Sequence, residues 1–99
     1  MTHPWKYQVL SRAIKKLEKG WTWGGGRDKW GHYTVDWCDE RTVRYCAHGA
    51  MEKAGLELGI EKDKVLDLID EVHPCLWQFN DSHKKHEVLA LLRAKLAAM

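Results

Sequence analysis

The chain has 99 residues, of which 44% are hydrophobic and 30% are charged, and its formal net charge is +2. This size and balance predict a single compact domain over residues 1–99 and exclude a disordered chain or a two-domain protein. No apolar run approaches the roughly 18 residues of a membrane helix, and the N-terminus lacks a signal-peptide pattern. We therefore expect a cytoplasmic protein without membrane contact.

Tryptophan and charge are unevenly distributed along the chain. Residues 1–20 carry a net charge of +4 and residues 83–99 carry +3, whereas residues 61–72 carry −3. This pattern predicts a mildly basic side formed by the two terminal helices. Five of the six tryptophans lie in the first 37 residues, at Trp5, Trp21, Trp23, Trp30 and Trp37.

The first predicted element is an amphipathic helix that starts near Pro4 and ends at Gly20. Its apolar residues recur at helical spacing and are expected to face inward: Tyr7, Leu10, Ile14 and Leu17. Its basic residues Lys15, Lys16 and Lys19 are interpreted as a solvated face that also suits the negative end of the helix dipole.

The composition of the chain changes after this helix. Residues 20–37 combine aromatic and β-branched side chains with three consecutive glycines. Tyr33, Val35 and Trp37 alternate with polar residues, as the residues of a half-buried strand do. We expect a short β-hairpin here. Two strands alone are only marginally stable, so the tryptophans should pack it on the helices.

A central helix is predicted from Asp39, as N-cap, to Gly55, as the residue that ends it. Gly49 lies inside this helix between Ala47 and Ala50, and glycine is unfavourable in a helix interior. Close approach of another element would explain it.

The remaining sequence predicts two more helices, over residues 61–72 and 83–97. A connector over residues 75–79 and a turn at Asn80-Asp81-Ser82, which caps the last helix, should join them. The expected fold class is α+β and mainly helical, with about four helices and one short β-hairpin between the first and the second.

Several short motifs occur in a fixed order: Lys19-Gly20-Trp21, then Arg44-Tyr45-Cys46-Ala47-His48-Gly49-Ala50, then Phe79-Asn80-Asp81-Ser82 before His86-Glu87-Val88-Leu89. This order resembles a group of small phage and bacterial proteins with a Cys-Ala-x-Gly-Ala helix and a late Asn-Asp turn before a Glu-Val-Leu-rich helix. The resemblance implies a phage or mobile-element accessory protein, and it assigns no catalytic residue.

Two kinds of chemistry are conceivable for the cysteines and histidines. Zinc ligands would come from Cys38, Cys46, His48, His73 and Cys75, but the spacing matches no zinc knuckle, and residues two apart on a helix project in different directions. We expect no metal and no cofactor, with Cys46 as a small buried side chain.

A thiol nucleophile, Cys38 or Cys46, with His83 or His86 as base and Asn80 as orienter is the other candidate. A cysteine near a helix N-terminus can have a lowered pKa. However, no family signature surrounds either cysteine, so we expect a non-enzymatic protein.

The predicted partner-binding surface consists of Trp21, Trp23, Arg27, Lys29 and Trp30. Tryptophan and arginine dominate the hot spots of protein interfaces, so the first expectation is binding of a host protein. One alternative is nucleic acid, because aromatic rings beside cations suit single strands. A cysteine- or zinc-dependent enzyme is the other alternative, and the oligomeric state is open.

Overall fold

The computed structural model describes residues 4–23, 26–32, 34 and 41–99, and within them it contains five helices and no β-strand. The predicted α+β class with four helices and a hairpin is therefore wrong, and the described chain has an all-helical fold. Its helices are α1 (Pro4–Lys19), α2 (Ala47–Glu57), α3 (Lys62–Val72), α4 (Leu76–Ser82) and α5 (Lys85–Ala97).

Two isolated bridges take the place of the predicted hairpin. Trp21 pairs with Tyr45 in parallel, and Arg27 pairs with Arg44 in antiparallel orientation. Both bridges join the loop after α1 to the segment before α2. The proposed strand residues Tyr33, Val35 and Trp37 lie outside the described residues.

Helix α1 begins and ends where the sequence predicts, and its buried face follows the 3.6-residue period. Its buried residues are Val9, Leu10, Ala13, Ile14 and Leu17. The prediction that Tyr7 faces inward is wrong, because this residue is 47% exposed. The buried face packs mainly against α2 and α5.

Helix α2 begins at Ala47, later than predicted, and the proposed N-cap Asp39 lies outside the described residues. The segment before Ala47 is extended because its backbone pairs at long range: Tyr45 N donates to Gly20 O at 2.9 Å. Cys46 is the N-cap, and its Sγ accepts a hydrogen bond from Gly49 N at 3.3 Å.

The end of α2 also differs from the prediction, since the helix continues through Gly55 to Glu57. Gly55 faces α3, and a Cβ atom there would lie 2.4 Å from Cγ2 of Val65. Its lack of a side chain therefore allows α2 and α3 to pack closely. The turn after α2 uses Gly59, which has φ of 72°.

Helix α3 confirms the helix predicted over residues 61–72, because the two differ by one residue at the N-terminal end. The predicted connector and Asn-Asp-Ser turn are wrong, because they form α4. Ser82 Oγ donates to Gln78 O at 2.8 Å, so its hydroxyl bonds within the helix and does not cap the next one. The start of α5 is capped by Glu87, whose carboxylate accepts from Lys84 N at 2.9 Å.

All five helices contribute to one hydrophobic cluster. Each supplies a fully buried large side chain, in chain order Leu10, Met51, Leu68, Leu76 and Leu92. None of the helices in the described chain has the length and apolar character needed to cross a membrane.

Candidate functional site

Two tryptophans of the predicted surface anchor the loop after α1. Trp21 is partly buried, and its indole N–H donates to Asn80 Oδ1 at 2.8 Å. Trp23 is 56% exposed, but its indole N–H donates to His83 O at 3.0 Å. The two rings meet edge to face with centroids 5.0 Å apart. Both residues therefore tie the loop to α4.

Asn80, which sequence reasoning assigned to a turn, is the fully buried partner in this arrangement. Besides the bond to Trp21, its Oδ1 accepts from Ala47 N at 2.8 Å, and its Nδ2 donates to Thr22 O at 3.1 Å. One side chain thus joins the loop, the first residue of α2 and α4. No sequence signal distinguishes such an asparagine from a turn former, because its partners are distant in sequence.

The rest of the predicted surface lies on a tight turn organised by Asp28. Its Oδ1 accepts from Trp30 N at 2.9 Å and from His32 N at 3.0 Å, and Gly31 adopts φ of 83°. Burial acts to raise the pKa of Asp28, but these hydrogen bonds and the charges of His32 and Arg41 outweigh it and leave the pKa below its ordinary value.

Trp30 is the most exposed large hydrophobic residue of the described chain, at 73%. Lys29 Nζ lies 5.1 Å from the centroid of its ring. Arg27 helps to close the turn, because its Nη1 donates to Gly31 O at 3.0 Å. Of the five residues predicted to form one surface, Lys29 and Trp30 are thus the pair that points into solvent together.

A groove of about 1120 Å³ runs along α1, and we call it the α1 groove. One wall is the exposed side of α1, and the other is the segment 42–45 together with Lys29. The bridge between Arg27 and Arg44 builds the second wall: Arg27 N donates to Arg44 O at 3.0 Å, and Arg44 N donates back to Arg27 O at 3.1 Å.

The α1 groove is strongly basic. Among the described residues, the one carboxylate that lines it is that of Glu57, and this group accepts contacts from Lys16 at 2.8 Å and Arg12 at 3.5 Å. Burial would raise the pKa of Glu57, but the hydrogen bonds and charges of these two cations outweigh it, so its pKa is lowered. Six cations line the groove, namely Arg12, Lys15, Lys16, Lys19, Lys29 and Arg44.

Sequence reasoning found one wall of this groove and interpreted it as a solvated face. The spacing of Arg12, Lys15, Lys16 and Lys19 already places them along one side of α1. The opposite wall could not be found this way, because Arg44 lies at the groove through backbone pairing with residues that are distant in sequence.

The proposed metal ligands do not meet. Cys46 Sγ caps α2, His48 Nε2 lies 3.6 Å from a Glu52 carboxylate oxygen, and His73 Nδ1 accepts from Cys75 N at 3.0 Å. Over residues 4–23, 26–32, 34 and 41–99 there is no group of three or more His, Cys, Asp or Glu side chains that could hold a metal ion. Cys38 lies outside the described residues.

Two described members of the proposed catalytic group, His83 and Asn80, use their polar atoms in other contacts. His83 Nδ1 lies 2.8 Å from Phe79 O and its ring stacks on Phe79 with centroids 3.8 Å apart. Asn80 bonds to Trp21, to Asp81 and to backbone groups, and none of its bonds among the described residues is to His83. Cys46 is buried as predicted.

A comparison with known protein families, with curated proteins and with solved structures finds no match to this chain. The resemblance to small phage and bacterial proteins therefore stays a prediction.

Proposed function

We propose that the protein binds nucleic acid and that phosphate groups lie in the α1 groove. The observation that carries the proposal is the charge of the groove, where the described lining residues include six cations and one carboxylate. A concave surface lined by one sign of charge concentrates ions of the opposite sign. Phosphates supply most of the affinity of nucleic acids for such surfaces.

Most of these cations are available to a ligand. Glu57, the one carboxylate among the described lining residues, already pairs with Lys16 and Arg12. The other four cations make no ion pair within the described part of the chain: Lys15, Lys19, Lys29 and Arg44. Gln8 and Ser11 add neutral donors to the α1 wall, and side chains of these types commonly contact phosphate and sugar.

The expectation of a host protein partner ranks second to this proposal. It rested on five residues acting as one surface, yet the indole N–H groups of Trp21 and Trp23 are already used within the protein. Lys29 belongs to the groove instead. An acidic protein segment is the competing ligand for the same cations. A phage or mobile-element origin and a cytoplasmic location stay predictions from the sequence.

The salt dependence of binding to a labelled oligonucleotide tests the proposal, with Lys19→Gln compared to Lys64→Gln. Both lysines are exposed and both changes remove one charge, but Lys64 lies on α3 outside the groove. Lys19→Gln should weaken binding and reduce the slope of log K against log salt by about 0.7 to 0.9. Equal effects of the two variants would contradict the proposal.

A further inference from the structure

We infer that the nucleic acid is single-stranded and that one of its bases stacks on Trp30 at the edge of the α1 groove. This inference rests on the proposed function. It assigns to Trp30 alone the stacking that the sequence suggested for the whole tryptophan-rich segment.

The position of Lys29 links the ring to the groove. Lys29 lines the groove, and its Nζ lies 5.1 Å from the centroid of the Trp30 ring. A phosphate held by Lys29 would therefore place the attached nucleoside beside this ring. Trp30 is 73% exposed, so most of its surface is accessible to a ligand.

The turn that carries Trp30 is held in place before any ligand binds. Asp28 Oδ1 accepts from the backbone of Trp30 and His32, and Gly31 N donates to Asp28 O at 3.0 Å. An aromatic ring on a fixed turn loses little conformational entropy on binding, and this favours stacking.

Three other tryptophans are less suited to stacking on a base. Trp21 is partly buried, and Trp23 packs against it and bonds to His83. Trp77 is 54% exposed, but it lies on α4 and does not line the groove. Trp77 is therefore a matched control.

A single strand fits this arrangement better than a duplex. The bases of a duplex are stacked on one another, whereas a single strand offers the faces of its bases to aromatic side chains. The α1 wall from Tyr7 to Lys19 is about 18 Å long at 1.5 Å per residue, which accommodates only a few phosphates. Short sites of about four or more nucleotides are typical of single-strand binders.

The experiment measures the affinity of a 12-residue thymidine strand, of the same backbone with abasic sites throughout, and of a 12-base-pair duplex. The thymidine strand should bind about 5- to 100-fold more tightly than the abasic strand. Trp30→Ala should remove most of this difference with an unchanged salt slope, and Trp30→Phe should restore much of it. Trp77→Ala should leave the difference intact.

Equal affinity for the thymidine and abasic strands would overturn the inference but not the proposed function. A folded Trp30→Ala protein that still prefers the thymidine strand to the same extent would do the same. Tighter binding of the duplex would also overturn it. If none of the three ligands binds and a poly-glutamate peptide does, the proposed function itself fails and an acidic protein segment is the ligand. Circular dichroism of each variant confirms that it is folded.

Discussion

The indole nitrogen of Trp21 donates a 2.8 Å hydrogen bond to Oδ1 of Asn80, which lies 59 residues further along the chain. The same oxygen accepts from Ala47 N, and the amide nitrogen of Asn80 donates to Thr22 O. Thr22 N in turn donates to Tyr45 O at 3.1 Å. The buried asparagine thereby fixes the segment that carries one wall of the α1 groove.

Replacing Asn80 by alanine should destabilise the protein by about 2 to 4 kcal/mol, because the Trp21 indole and the amide of Ala47 would lose their acceptor in the interior. Urea unfolding measures the change. Gln78→Ala, at an exposed position of the same helix, should cost no more than about 0.5 kcal/mol. Equal stability of the two variants would show that the Asn80 bonds contribute little.

Gly20→Ala should also destabilise the protein, by about 1 to 3 kcal/mol. A Cβ atom at this position would lie 2.2 Å from the backbone oxygen of Val43, so the groove wall would have to move away from α1. We expect weaker oligonucleotide binding together with a lower thermal midpoint. A variant with the stability and affinity of the original chain would contradict the close packing at Gly20.

The ion pairs of Glu57 predict a pH dependence of stability. Its pKa in the folded protein lies below the ordinary value of 4.5, so its contribution is present above about pH 4.5 and is lost as the pH falls through the folded value. At pH 7 the original chain should exceed Glu57→Gln in stability by up to about 0.5 kcal/mol, since the pair is partly solvated. Denaturation series at several pH values should show this difference shrinking as the pH falls below 4.5; a difference that does not change with pH would argue against the ion pairs.

The cysteines should differ in reactivity. Cys46 is 5% exposed and caps α2, whereas Cys75 is exposed. Under native conditions iodoacetamide should modify Cys75 readily and Cys46 only when the protein unfolds. Mass spectrometry of the digested protein measures each site separately. Modification of Cys46 at the rate of Cys75 would revive the hypothesis of a reactive thiol.

Helices with a regular apolar period were predictable from the sequence. The buried residues of α1 and α3 recur every three to four positions, and local periodicity is sufficient to define such helices.

The start of α2 was not predictable in this way. Val43 and Cys46 match a helical period, but long-range backbone bonds to Gly20 and Arg27 hold residues 43–45 extended.

Helix α4 and the α1 groove were missed for the same physical reason. Asn80, Asp81 and Ser82 favour turns through local side-chain bonds, yet the Asn80 side chain is used in tertiary contacts and Ser82 bonds back within the helix. The groove requires Arg44 to lie opposite α1, and long-range backbone pairing of Arg44 with Arg27 and of Tyr45 with Trp21 places it there. The type of a residue indicates which hydrogen bonds its side chain can form, but its actual partner depends on the tertiary structure.

The central claim, that phosphates bind in the α1 groove, is tested most directly by the affinity of one oligonucleotide for the original chain, Glu57→Gln and Arg44→Gln at the same salt concentration. Glu57→Gln removes one negative charge from the groove and releases Lys16 and Arg12, so it should bind more tightly. Arg44→Gln removes a cation and should bind more weakly. Changes of opposite sign are the predicted result, and unchanged affinities or changes of the same sign would contradict the claim.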